Sequence, residues 1–233
     1  LIDATGQNAV IARRQGARKV RYDHMMGLIA LYSMSDDVGD AATLVESSPA
    51  GWWYSAAVPD RRIVVAFMTD ADLIRRYRLN SVERWNDLLA VTHHTRQRVR
   101  HGQAEGSIRT CRAHTQLLDP TAGEGWVAVG DAAASFDPLA SMGVGYALLS
   151  GIEGARAVHR ALEGDATSLA GYAASVRRHY REYLDLRYRH YCAEQRWRDQ
   201  PFWRRRHERI DLSPSSTGHR SRDSKSLIGH LPR

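Results

Sequence analysis

The alternation of apolar and polar positions divides the chain into a strand-rich first part and a helix-rich second part. Met26 to Tyr32, Thr43 to Ser47, Trp52 to Val58 and Arg62 to Met68 are short runs of strand type, with turn signals at Pro49-Ala50-Gly51 and Pro59-Asp60. Neighbouring strands joined by short turns predict an antiparallel sheet. Asp70 to Arg100 shifts to helical spacing, with Leu73, Tyr77, Trp85, Leu88 and Leu89 among its apolar positions. Ser107 to Leu118 reads as a further strand, ending at Asp119-Pro120. Trp126 to Val129 is a short apolar run suited to a strand buried on both faces, and from Gly143 an apolar, small-residue helix follows. Leu169 to Trp197 predicts a long helix or helix pair. Its Tyr172, Val176, Tyr180, Tyr183, Leu184, Tyr188 and Tyr191 recur at three- and four-residue steps as one core-facing aromatic stripe. Gln200-Pro201 is read as the stop of that helix, and Trp203 to His207 as the close of the ordered region. Residues 208–233, rich in Ser and Arg, are expected to be a disordered tail.

Composition changes this picture little. The chain has 233 residues and a formal net charge of +7. Nearly all the basic charge is spread arginine, with Lys19 and Lys225 as the lysines, so no nucleic-acid partner is expected. Cys111 and Cys192 are too few for a disulfide framework, which fits a reducing, cytoplasmic compartment. No run of apolar residues is long enough for a membrane span. The adjacent His93 and His94 point about 100° apart on a helix, so no metal site is expected.

The candidate chemistry lies between Trp126 and Gly154. A strand, a turn at Gly130-Asp131, a loop stiffened by Pro138 and a helix opened by Gly143 form a ligand-facing arrangement. Ligands of open α/β sheets sit outside the carboxyl ends of the strands, and a helix N-terminus offers free N–H groups to electron-rich oxygens. Asp131 is placed to accept hydrogen bonds from ligand hydroxyls. Gly143 and Gly145 remove side chains where a flat ring would approach the backbone. Gly145, Gly151 and Gly154 each cost about 1 kcal/mol against alanine inside a helix, which points to close packing or a close ligand. Asp3-Ala4-Thr5-Gly6 is a second strand ending at a glycine turn.

These residues resemble a known family. Gly130-Asp131-Ala132-Ala133, then Asp137-Pro138-Leu139, then Ser141-Met142-Gly143-Val144, is similar to the second flavin-binding motif of FAD-dependent monooxygenases, in the branch with flavin-dependent halogenases and geranylgeranyl reductases. The resemblance implies that Asp131 binds the ribityl chain of FAD and that backbone from Met142 through Gly143 and Val144 to Gly145 faces the flavin. Asp3, Thr5 and Gly6 match the family's DATG strand on the cofactor side, although Gln7 stands where arginine is usual. Gly51 and Trp52 begin the halogenase G-W-x-W-x-I-P motif, but Tyr54, Ala56 and Ala57 replace its second tryptophan, isoleucine and proline. Trp52 and Trp53 are expected to alternate across a strand, one in the core and one, with Tyr54, lining a substrate cavity.

The resemblance implies a mixed α/β flavin monooxygenase fold without its N-terminal dinucleotide-binding βαβ unit, because no G-x-G-x-x-G turn is present. The expected divisions are 1–19 (end of the FAD-binding domain), 20–118 (substrate sheet), 119–164 (return to FAD) and 165–207 (C-terminal helices). The expected activity is that of the C-terminal part of an FAD-dependent monooxygenase, acting through a flavin hydroperoxide on an aromatic or other organic substrate. Alternatives are a halogenase, an isoprenoid-reducing flavoprotein or a remnant that no longer binds FAD. NAD(P)H or a separate flavin reductase would supply electrons. The substrate partner is a small molecule or a protein-bound aromatic residue, as in the related tryptophylquinone-maturation flavoproteins. No acid–base residue stands in a recognisable catalytic constellation.

Overall fold

The computed structural model describes residues 1–35 and 42–212. Its larger sheet is antiparallel and five-stranded. The strands are β3 (Met25–Met34), β4 (Leu44–Ser48), β5 (Gly51–Val58), β6 (Arg62–Asp70) and β7 (Gly102–Arg112), in the order β4-β5-β6-β3-β7. Two smaller sheets complete the mixed α/β fold. One has the order β1-β10-β9, with β1 Ile2–Asp3, β9 Ala122–Gly123 and β10 Trp126–Ala128. The other has the order β11-β8-β2, with β2 Arg18–Arg21, β8 Gln116–Asp119 and β11 Ala134–Ser135. The helices are α1 (Val10–Arg14), α2 (Ala71–Tyr77), α3 (Val82–Ala90), α4 (His94–Arg98), α5 (Gly143–Leu162), α6 (Ser168–Ala193) and α7 (Pro201–Arg206).

The larger sheet buries both faces, and its strand alternation decides which residue goes where. Leu28, Tyr32, Trp53, Val65 and Phe67 face a cluster closed by Ile74, Leu79, Trp85 and Val99 from α2 to α4 and their loops. Met25, Trp52, Ala66 and Met68 face the opposite cluster, closed by Tyr191, Phe202 and Trp203 from α6 and α7. Gly51 sits where another residue would not fit: an added Cβ would lie 2.0 Å from the Met68 carbonyl oxygen. A third cluster joins β8 and β10 to α5 and the first half of α6.

Several sequence expectations are corrected here. The helix expected from Asp70 to Arg100 is α2, α3 and α4. Arg78 in the left-handed region ends α2, and Ser81 caps α3 by accepting from the Arg84 N–H at 3.3 Å. Glu46 of β4 then caps α4, accepting from the backbone N–H groups of His93 and Thr95 at 2.6 and 2.7 Å. The expected strand from Ser107 to Leu118 is β7 and β8, which belong to different sheets. The pattern also missed β2, which pairs with β8. Pro201 starts α7 rather than stopping α6, which ends at Ala193. Residues 208–212 do not fit the expected tail: Leu212 is buried, and its carbonyl accepts from Arg177 at 3.0 Å. The rest of that expectation, residues 213–233, lies outside the described residues.

Candidate functional site

Two stretches far apart in sequence meet at the ends of two parallel strands. β1 pairs with β10, Ile2 opposite Val127 and Asp3 opposite Ala128. Both strands then run into short 3-10 turns, Gly6–Asn8 and Gly130–Ala132, which contact each other. Gly6 and Gly130 have φ of 64° and 56°, the region where glycine is free of Cβ strain. The carboxyl ends of β1 and β10 thus open on one point, the usual place for a ligand in an open α/β sheet.

The turn after β10 is clamped to α5. The Gly130 N–H donates to the Ser150 hydroxyl at 2.8 Å. An added Cβ on Gly154 would lie 2.8 Å from Val129 Cγ1. Gly154 is therefore the close-packing glycine. Gly143, Gly145 and Gly151 have nothing within 4 Å of an added Cβ. No side chain caps the start of α5 at Met142. Its first N–H groups, with the open surface at Gly143 and Gly145, suit a flat, electron-rich ligand.

Asp131 stands in the turn between these parts and is half-buried. Burial pushes its carboxyl above the ordinary carboxylate range, and no donor within the described residues offsets that. A ligand hydroxyl at this point would supply the missing hydrogen bond. Asp3 is the opposite case. It is fully buried; burial alone would raise its pKa, but hydrogen bonds from the Ala12 N–H at 2.7 Å and from the Thr5 hydroxyl and N–H at 2.6 and 2.9 Å carry it below the ordinary value. The Thr5 hydroxyl also accepts from the Val10 N–H at 2.7 Å. Asp3 and Thr5 therefore spend their polar atoms on holding the Gly6 turn and α1.

Pro138 opens a short 3-10 turn, Pro138–Ala140, capped by Asp137 through the Leu139 N–H at 3.0 Å. Asp137 anchors a buried network that the sequence did not reveal. Its Oδ2 accepts from the Tyr191 hydroxyl at 2.7 Å and from Arg187 Nε at 3.2 Å. The Tyr191 hydroxyl accepts in turn from Trp52 Nε1 at 3.0 Å. Arg187 also reaches Asp23 at 3.0 Å. The Tyr183 hydroxyl accepts from the Asp137 N–H at 2.8 Å. The Pro138 loop is thereby tied through α6 to β5 of the larger sheet. The available signal was the choice of tyrosine in the stripe, because a buried hydroxyl requires a partner.

Trp52 and Trp53 do alternate across β5, yet both are packed into clusters, 2% and 0% exposed. Neither lines either of two cavities among the described residues. One, about 170 Å³, lies between Leu118, Pro120, Ala173 and Arg177; the other, about 400 Å³ and open, lies between Met26, Ile74, Arg75 and Thr110. Tyr54, on the Trp52 face, is only partly buried.

The fold and this meeting of glycine turns define the class: an α/β protein of the FAD-binding fold joined to an antiparallel sheet. A family model described as tryptophan halogenase matches residues 1–221, and the chain belongs to that family. It is 33% identical over 208 residues to a putative FAD-dependent oxidoreductase, LodB of Marinomonas mediterranea, covering 89% of this chain and 56% of the relative. Among solved structures it is similar to CmlS, a flavin-dependent halogenase, with a TM-score of 0.76, 21% identity and coverage of 91% of this chain and 40% of that one. It is also similar to QhpG, a peptidyl tryptophan dihydroxylase essential for tryptophylquinone cofactor biogenesis, with a TM-score of 0.62, 21% identity and coverage of 84% and 46%. The chain spans about half the length of the curated relatives it matches. No helix among the described residues is long and apolar enough to cross a membrane.

Proposed function

We propose that this chain is the substrate-sheet and second flavin-motif part of an FAD-dependent monooxygenase. The observation that carries the reading is the half-buried Asp131 carboxyl without a donor, beside the uncapped start of α5 and its open glycines. In this reading Asp131 accepts from the ribityl hydroxyls of FAD, and backbone from Met142 to Gly145 lies against the ring. Bound FAD supplies the oxygen activation. The chain's residues bind and orient it: Gly130 and Ser150 fix the Asp131 turn, and Asp137 fixes the loop that leads into α5. The divisions at residues 1–19, 20–118, 119–164 and 165–207 belong to this proposal, with α6 and α7 bridging the two sheet layers.

Oxygenation is favoured over halogenation by Tyr54, Ala56 and Ala57, which make the β5 wall smaller than the halogenase motif would. The substrate is an aromatic group, free or held on a polypeptide, the latter suggested by the likeness to the peptidyl tryptophan dihydroxylase. Electrons come from NAD(P)H or from a flavin reductase partner.

The test uses the parent polypeptide, in which this chain is joined to a dinucleotide-binding part. Asp131→Ala is expected to weaken flavin binding by about 1.5–3 kcal/mol, read as lost flavin absorbance after purification. Unchanged flavin content would remove Asp131 from the site. Given reduced FAD, oxygen and bromide, the parent is expected to consume oxygen without a brominated product; bromination would make it a halogenase.

A further inference from the structure

Buried tryptophan–tyrosine hydrogen bonds occur on both faces of the larger sheet, and they differ in where they lead. On one face Trp85 Nε1 donates to the Tyr32 hydroxyl at 2.8 Å, inside the cluster closed by α2 to α4. On the other, Trp52 Nε1 donates to the Tyr191 hydroxyl at 3.0 Å, and that hydroxyl donates to Asp137 Oδ2 at 2.7 Å. An indole N–H only donates, so Tyr191 accepts from Trp52 and directs its one proton to Asp137. The link therefore has a fixed polarity, from β5 to the loop before α5.

Asp137 gathers the bonds of that loop. It is 1% exposed. Its Oδ1 accepts from the Leu139 N–H and its carbonyl from the Ala140 N–H, both at 3.0 Å. The Ser141 N–H closes the turn on the Pro138 carbonyl at 3.0 Å. The next residue, Met142, is the N-cap of α5. On the far side, Arg187 joins Asp137 to Asp23, whose Oδ1 accepts from the N–H groups of Met25 and Thr115 at 3.2 and 3.0 Å. One guanidinium thus serves two buried carboxylates, and the Tyr191 hydroxyl is a further donor on the one that carries the loop.

Packing alone does not require this hydroxyl. The Tyr191 ring lies among Phe202 and Trp203, with centroids 6.1 and 5.8 Å away, and phenylalanine would fill the same space. A buried hydroxyl must be stripped of water, and its net gain is small even when bonded. What a fully bonded polar network adds in a core is a single arrangement of the parts it joins. Here the parts are β5, with the partly buried Tyr54 two residues beyond Trp52 on the same face, and the loop that leads to the start of α5.

We propose that Tyr191 is a positioning residue: its hydroxyl fixes the register of the Pro138 loop against β5, and through that loop the position of the α5 start. That this register serves flavin binding rests on the reading above; the register itself does not.

The test compares Tyr191→Phe with Tyr32→Phe, which removes the other tryptophan–tyrosine bond and leaves the loop alone. Residue-resolved amide exchange is followed in this chain at the bonded N–H groups of Leu139, Ala140 and Ser141. Tyr191→Phe is expected to speed their exchange by about tenfold, with no such rise in Tyr32→Phe. Trp52→Phe is expected to act in the same direction with a smaller rise, because Tyr191 still reaches Asp137. Loop exchange that is unchanged in Tyr191→Phe, or raised as much in Tyr32→Phe, overturns the proposal. Flavin is read separately, by adding FAD to the parent polypeptide and to the same two tyrosine variants. Tyr191→Phe alone is expected to bind it about tenfold more weakly, with a shifted visible band. Equal binding and an unchanged band in Tyr191→Phe overturn the step from the loop to the start of α5. Loop exchange that rises in Tyr191→Phe, while even the unsubstituted parent takes up no FAD, keeps the register and overturns the flavoprotein reading.

Discussion

Helices α5 and α6 make the instructive comparison. α5 is the more apolar in sequence and the more exposed in structure, with Val144, Leu148 and Leu162 bare. α6 carries many charges and yet buries Tyr172, Tyr180, Tyr183 and Tyr191. The difference lies in what each helix finds inside this chain. α6 runs from β10, where the Tyr172 hydroxyl donates to the Ala128 carbonyl at 2.7 Å, to Trp52 of the larger sheet, and meets polar partners along the way. Among the described residues, α5 finds a partner for one side only. Hydropathy alone thus does not rank the two helices by burial; the partners each one meets do.

The closed region should break hardest at Arg206. This buried guanidinium of α7 forms a two-pronged pair with Asp70, at 2.7 and 3.1 Å, and lies 3.5 Å over the Phe202 ring. Arg206→Ala leaves a buried carboxylate short of its main partner and is expected to cost about 3–5 kcal/mol in urea denaturation. A loss under 1 kcal/mol would show that Arg205, which also reaches Asp70 at 2.8 Å, suffices alone.

The same pair sets an acid dependence. Burial would raise the Asp70 pKa, but hydrogen bonds and charge from Arg206 and Arg205 outweigh it and hold the carboxyl below the ordinary value. A carboxylate depressed on folding adds stability that is present above its unfolded pKa, about 3.9, and lost as pH falls through the folded value. Melting temperature should therefore drop below about pH 4, and more shallowly in Asp70→Asn, which starts from a lower plateau. Equal slopes in the two proteins would place the acid sensitivity elsewhere.

Tyr191→Phe tests the bridge between the layers with a smaller expected loss. It leaves Trp52 Nε1 without an acceptor and removes one donor from Asp137. About 1–3 kcal/mol should disappear, with a change in tryptophan fluorescence. A neutral result would mean that water replaces the hydroxyl.

What the sequence made legible follows from the range of each interaction. The antiparallel sheet and the strand–turn–helix around Gly130 were readable because their signals are local: β-type runs with turns between them, and small residues at fixed spacing. The division of residues 70–100 into α2, α3 and α4 was not, because Glu46, which caps α4, lies on another strand. Nor was the split of residues 107–118, because the pairing of β8 with β2 and β11 is long-range. Asp131 was readable as a candidate by its motif. Asp3 was read in the same way, but its carboxyl turned out to be bonded to Ala12 and Thr5. The network on Asp137 was not readable, because its partners lie about fifty residues away on α6.

The gentlest test of the comparison uses the glycines of α5 against each other. Gly154 meets Val129, so Gly154→Ala must displace packed atoms and is expected to cost about 1–3 kcal/mol. Gly151 lies nearly one turn earlier with nothing near an added Cβ. Gly151→Ala should therefore give the isolated chain the helix propensity that glycine withholds, about 0.5–1 kcal/mol of added stability in thermal melts. The sign of that small effect is informative. If the outer face of α5 is covered in the parent polypeptide, the added methyl meets the covering surface there and the gain shrinks or reverses. A gain of equal size in chain and parent would mean that Gly151 faces solvent in both, and would narrow the covered patch to the side of the helix carrying Leu148 and Ile152, away from Val144, which lies about 20° from Gly151 around the axis.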